Sequence, residues 1–216
     1  MKYIALFVCL FSGLLFSQDA RRFETDIEAF RRQADTLDSN SYDALIVGSS
    51  SVRMWTDINR YFPGNDFLNR GFGGSQMSDV LYYADDLIFD IPAKKLFLYE
   101  GDNDIASGKS VGKVRRDFKK LLREIHRRIP GTEVYLISVK PSLDQERMDR
   151  KKKYLAFNRW LERYCRKKEQ FHFINVWPHM LSENDEPRPE LFIADGIHMT
   201  DAGYDIWAEQ IAPFLE

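Results

Sequence analysis

"DALIVGSSSVRMW", residues 43–55, decides the fold. Ala44, Leu45, Ile46 and Val47 run without a polar break, then Gly48 and three serines follow, Ser49, Ser50 and Ser51. A short, continuous apolar run suits a strand covered on both faces. The glycine and serines are turn formers at the strand's carboxyl end. Beyond that end is where open parallel sheets bind ligands. The stretch therefore raises a chemical question: whether one of the three hydroxyls is a nucleophile.

Four further runs extend the pattern. A short strand is predicted around Phe67 and Leu68. "KKLFLYEG" (residues 94–101), "TEVYLISV" (132–139) and "FHFINV" (171–176) predict three more. Between them apolar residues recur at i, i+3, i+4 and i+7, the period of amphipathic helices. Phe23, Ile27, Phe30, Ala34 and Leu37 form one stripe; Met77, Val80, Leu81, Ala84, Leu87 and Ile88 a second. Val114 to Ile129, Tyr154 to Cys165 and Ile206 to Leu215 carry three more. Strands alternating with helices imply parallel pairing and right-handed crossovers. The expected fold is α/β: a three-layer α/β/α sandwich on a five-stranded parallel sheet, flavodoxin-like in architecture.

The chain has 216 residues and a formal net charge of -2, which suits one domain and gives no overall footprint for nucleic acid. Residues 1–17 read separately. Lys2 precedes an apolar run from Ile4 to Phe16, closed by Ser17 and Gln18. This predicts a secretory signal peptide cut near Ser17, leaving one domain over residues 18–216 and no stable membrane insertion. The run is shorter than the roughly 20 apolar residues that span a bilayer. Cys9 lacks the small residues that precede a lipid-bearing cysteine. Export to a periplasmic or extracellular location follows. Only Cys165 then remains, so no internal disulfide is expected.

Four clusters fall just after strands or before the last helix: Ser49–Ser51, "NRGFGGS" (69–75), "EGDND" (100–104) and "ADGIHMTDAGY" (194–204). Each alone could be turn chemistry. Together they hold the parts of an acyl-transfer site. Serine needs an adjacent base, and histidine titrates near neutrality. Asp195 and His198 are three apart, and on a helical turn both would emerge on one side. The carboxylate would hold one ring nitrogen and leave the other for a serine. Main-chain N–H groups after Gly48 and Gly73, with the amide of Asn103, could face an anion.

These clusters resemble the blocks of the SGNH hydrolase superfamily, the GDSL esterases and lipases. The resemblance places the nucleophile at Ser50 in Gly48-Ser49-Ser50, an oxyanion donor at Gly74, the oxyanion amide at Asn103 in "GDND", and Asp195 and His198 in "DGIH". Ser50 N–H is the third implied oxyanion donor. Ser49 stands where the family has aspartate, so local hydrogen bonding is expected to differ. The implied activity is that of a serine esterase needing no metal or cofactor. Its substrate would be a small-molecule or carbohydrate ester, with short acyl groups such as acetyl favoured because no long insertion follows any strand. A lysophospholipase or lipase-type acylhydrolase is the alternative chemistry; a non-catalytic binding module on the same fold is the alternative class.

Competing motifs fail on spacing. G-x-S-x-G would need glycine at Val52, and the P-loop pattern ending in "SGKS" (107–110) would need it at Asn103. His126 and His179 lack a carboxylate three residues before them; His172 has Glu169 there but alternates in a strand between Phe171 and Phe173. The run "ERMDRKKKYLAFNRW" (146–160) reads as a solvated helix face. Because it follows "SVKPS" (138–142) at a strand end, Lys140, Ser142 and Arg147 are candidate substrate contacts.

Overall fold

The computed structural model describes residues 19–34 and 42–215. The predicted signal peptide and Leu37 lie outside the described residues. Five strands form the sheet: β1 (Tyr42–Gly48), β2 (Phe67–Gly71), β3 (Ala93–Tyr99), β4 (Glu133–Ile137) and β5 (Phe171–Ile174). All pairs are parallel, in the order β2-β1-β3-β4-β5. This is the flavodoxin-like order, with the direction of winding reversing between β1 and β3.

The helices are α1 (Glu24–Ala34), α2 (Ser50–Arg53), α3 (Ile58–Tyr61), α4 (Met77–Tyr82), α5 (Asp102–Ala106), α6 (Val111–Arg128), α7 (Gln145–Met148), α8 (Lys151–Cys165) and α9 (Asp201–Ile211). The stripe from Met77 to Ile88 is not one helix. After α4 the chain winds into a wider π turn over Asp85–Phe89, which still buries Leu87 and Ile88.

Strand periodicity explains the two cores. Leu45 and Val47 face one side of β1 and join Leu96, Leu98, Val134 and Leu136 under α1, α4, α6 and α8. Ala44 and Ile46 face the other, with Phe97, Tyr135 and Ile137 under α3 and α9. Both faces of the central strands are dry, which is why their sequences are apolar without alternation. Cys165 is buried on the α8 stripe, and burial pushes its thiol up to about 12, the state of an inert small hydrophobe.

The turn after β1 is anchored from three sides. The Asn69 amide of β2 donates to the carbonyls of Val52 (2.8 Å) and Trp55 (3.1 Å). The Tyr204 hydroxyl of α9 donates to the Ser51 carbonyl at 3.0 Å, and its ring stacks on Trp55. Gly71 lets β2 pass close to α2: a Cβ there would stand 2.2 Å from the Arg53 nitrogen. Gly71→Ala is therefore expected to destabilise the protein by about 3 kcal/mol, the upper part of the overpacking range. Gly131→Ala, where a Cβ would meet nothing, should stay within about 0.5 kcal/mol of wild type in urea denaturation.

Candidate active site

Ser50 is the first residue of α2. Ser49 before it is extended, and its carbonyl accepts the N–H groups of Val52 and Arg53, both at 3.0 Å. This sharp strand-to-helix turn puts the Ser50 side chain at the carboxyl edge of the sheet. The Ser49 side chain points inward; it is fully buried, and its Oγ finds no partner among the described residues.

The Ser50 hydroxyl lies 2.7 Å from Nε2 of His198, and Nδ1 of His198 lies 2.6 Å from an Asp195 carboxylate oxygen. A carboxylate at Nδ1 requires the proton there, so Nε2 is the acceptor for the serine O–H. Asp195 and His198 are not on a helical turn, as the spacing suggested. They sit in the loop before α9, where Gly196 has φ +69°. Asp195 closes that loop itself: its other oxygen accepts the N–H groups of Ile197 (2.8 Å) and His198 (2.9 Å). Partial burial pushes the Asp195 carboxyl up, but the bonds from His198 and Ile197 together outweigh it and hold it at about 2.

Gly74 and Asn103 face the same cleft, of about 390 Å³, with Ser50, His198, Arg53 and Arg147. Gly74 has φ +80°, a conformation that suits glycine. Among the described residues, the N–H groups of Ser50 and Gly74 have no acceptor. Asn103 is held at both ends of its amide. Its Nδ2 donates to the Ser75 carbonyl at 3.0 Å, and its Oδ1 accepts from Arg147 at 3.1 Å. One Nδ2 hydrogen remains for the cleft. Behind Ser75 lies Glu100, fully buried, receiving the Ser75 hydroxyl at 2.5 Å. Burial first, and the nearby Asp104 carboxylate second, raise the Glu100 carboxyl well above its ordinary value.

The three candidate substrate contacts separate. Arg147 lines the cleft. Lys140 and Ser142 do not; both are buried behind it. Lys140 donates to the Ile197 carbonyl, next to His198, and burial pulls its ammonium down to about 8. It braces the histidine loop from below rather than reaching a ligand. Arg53 and Asp26 also line the cleft. Their signal was present only for Arg53, one turn after Ser50; nothing in the spacing points to Asp26. His126 bonds to Gln170, His172 stacks on Tyr135, and His179 is exposed; none lines this cleft. Among the described residues, no group of His, Cys, Asp or Glu is placed to hold a metal, and no helix is long and apolar enough to cross a membrane.

A serine, a histidine and an aspartate bonded in line at the carboxyl edge of a parallel sheet is the arrangement of a serine hydrolase. The comparisons agree. The profile of the GDSL-like lipase/acylhydrolase family matches residues 38–206. A Streptococcus pneumonia structure carrying the provisional description of a platelet activating factor superposes with a TM-score of 0.80. It is 22% identical, and the match covers 89% of this chain and 92% of that one. A GDSL-like lipase from Bacteroides thetaiotaomicron gives 0.77 at 19% identity, covering 88% and 96%. A family 3 carbohydrate esterase from Clostridium thermocellum gives 0.60 at 14%, covering 82% and 98%. No curated protein matches the sequence. The chain belongs to the GDSL-like lipase/acylhydrolase family and is an ester-hydrolysing serine hydrolase.

The low Asp195 value carries a sign. A carboxyl depressed below its free value of 3.8 stabilises the fold fully above about pH 4, and the contribution fades as pH falls towards 2. Wild type should therefore lose stability more steeply than Asp195→Asn between pH 4 and pH 2, measured by urea denaturation at each pH. Parallel curves would remove the ionised Asp195 loop as a stabilising element.

Proposed function

We propose that Ser50 is the nucleophile of a two-step esterase, with His198 as base and acid and Asp195 as its orienting group. The observation that carries this reading is the 2.7 Å and 2.6 Å line from Ser50 through His198 to Asp195. Nε2 of His198 takes the hydroxyl proton as Oγ attacks the ester carbonyl. The carbonyl electrons move to oxygen, and the N–H groups of Ser50 and Gly74 with Nδ2 of Asn103 stabilise that oxyanion. His198 returns the proton to the leaving alcohol as the C–O bond breaks. Water then enters by the same route and releases the acyl group.

In this reading Arg147 is a positioning residue. Its bond to Oδ1 fixes which end of the Asn103 amide faces the cleft, and its charge polarises that amide. Ser50→Ala should abolish turnover of 4-nitrophenyl acetate and labelling by a serine-directed fluorophosphonate, with the fold intact by circular dichroism. Asn103→Ala should lower kcat by about 10² to 10³. Arg147→Ala should lower kcat about ten-fold with KM little changed, the scale of one lost hydrogen bond to a charged group. That ten-fold effect should vanish in the Asn103→Ala background. Additive losses would detach Arg147 from Asn103.

We also propose short acyl groups, such as acetyl on a carbohydrate, and export of the chain after removal of residues 1–17. The cleft supports the first: around Ser50 it is lined by Asp26, Arg53, Gly73, Asn103 and Arg147, with Ile197 as its one aliphatic side chain. A long acyl chain needs an apolar wall. Rates on nitrophenyl esters should fall from C2 to C12; a maximum at C8 or longer would favour the lipase-type or lysophospholipase reading instead.

A further inference from the structure

Two buried polar atoms at the carboxyl end of the sheet have no partner among the described residues: the Ser49 hydroxyl and the second carboxyl oxygen of Glu100. The register makes their residues neighbours. Gly48 of β1 pairs with Tyr99 of β3, so Ser49 and Glu100 each stand one residue past the same pair. Each is two residues beyond a side chain of the core under α6 and α8, Val47 and Leu98, and alternation sends both to that face. Both are fully buried. The family carries aspartate where this chain has Ser49. Here the end of β1 offers only a hydroxyl, and the carboxyl comes from the next strand.

The first oxygen of Glu100 ties it to the cleft. It accepts the Ser75 hydroxyl at 2.5 Å. In the sheet β1 lies between β2 and β3, so this bond reaches across the end of β1, where Ser49 stands. Ser75 closes the turn Phe72-Gly73-Gly74-Ser75, with its N–H on the Phe72 carbonyl at 3.4 Å. The other end of the turn is fixed by the Phe72 N–H on the Gly48 carbonyl at 3.0 Å. The Gly74 N–H is carried inside that turn. The Ser75 carbonyl receives Nδ2 of Asn103 at 3.0 Å. One side chain thus stands behind both Gly74 and Asn103.

The surrounding carboxyls have other duties. Asp79 meets Arg22 at 2.6 Å, Asp104 meets Lys109 at 2.7 Å, and Asp102 lies 3.7 Å from Arg147. Glu100 meets no cation among the described residues. An ion pair therefore does not account for it. Its carboxyl, shifted up by burial and by Asp104, fits an acceptor in a dry site rather than half of a charge pair.

We propose that Glu100 is a positioning residue of the oxyanion hole, and that its carboxyl stands in, from β3, for the aspartate the family carries at position 49. The claim rests on the esterase reading above and adds the group that sets Gly74 and Asn103. Without it the Ser75 hydroxyl is buried and unpaired, and that end of the turn loses its side-chain anchor. Donors to an oxyanion act through placement, and a displacement of about 1 Å is worth about 10² in rate.

The test uses the full chain and 4-nitrophenyl acetate. Glu100→Ala should lower kcat about 10²-fold, with KM changed by less than about three-fold. Glu100→Gln, whose amide oxygen can still accept from Ser75, should regain about ten-fold or more of that loss. Ser75→Ala should lower kcat as well, and Ser75→Ala with Glu100→Ala should lose no more than Glu100→Ala alone. The deciding variant is Ser49→Asp with Glu100→Ala, which returns the carboxyl to β1. Aspartate is shorter than glutamate but starts one strand nearer to Ser75, about 4.8 Å. This double variant should regain about ten-fold or more in kcat over Glu100→Ala and unfold at higher urea. Ser49→Asp alone sets two buried carboxyls side by side and should unfold at lower urea than wild type. Wild-type kcat in Glu100→Ala or in Ser75→Ala, or additive losses when the two are combined, overturns the positioning role. A double variant no faster than Glu100→Ala overturns the exchange of carboxyls. A wild type inactive on 4-nitrophenyl acetate would instead fail the esterase reading. The urea midpoints would then decide the exchange, with equal values for Glu100→Ala and the double variant overturning it.

Discussion

The hydrogen bond between Ser50 and His198 joins groups 148 positions apart, and most of the architecture can be read as the means of making it. A serine hydroxyl transfers its proton only to a base already in contact, so the two loops must meet within a few tenths of an ångström. A parallel sheet supplies that meeting point. Every strand ends on the same side, so turns far apart in the chain share one rim. The dry cores on both faces then hold the rim still. Asn69 ties β2 to the serine turn, Tyr204 ties α9 to it, and Lys140 holds the carbonyl beside the histidine.

The parts of the fold legible in the amino-acid sequence are those where one requirement dominates. Runs such as Ala44–Val47 and Leu96–Tyr99 are apolar throughout because both faces are covered, and no other requirement competes. The helical stripes are legible for the same reason, except where α4 gives way to a π turn. Burial of Leu87 and Ile88 is satisfied by either winding, so the pattern does not distinguish them.

The site was legible in residue types and less so in causes. The three-residue spacing of Asp195 and His198 does bring the two side chains together, but through a loop rather than a helical turn, with Asp195 accepting two main-chain N–H groups. Lys140 and Ser142 follow a strand end, as functional residues do, yet their side chains turn inward. Strand-end position places a backbone at the rim; it does not say which way a side chain points. The pairing of Arg147 with Asn103 crosses 44 positions and has no local pattern at all.

The polar groups beneath the rim follow one electrostatic logic. Burial raises the carboxyl of Glu100 well above its ordinary value while it accepts from the Ser75 hydroxyl. Asp102 lies 3.7 Å from Arg147, which limits the field that guanidinium would otherwise exert on Asn103 and Ser50. Asp195, by contrast, is kept ionised by three hydrogen bonds, where a negative charge can stabilise a protonated His198. Two carboxyl groups near one rim are thus shifted in opposite directions, up by burial in one case and down by donors in the other.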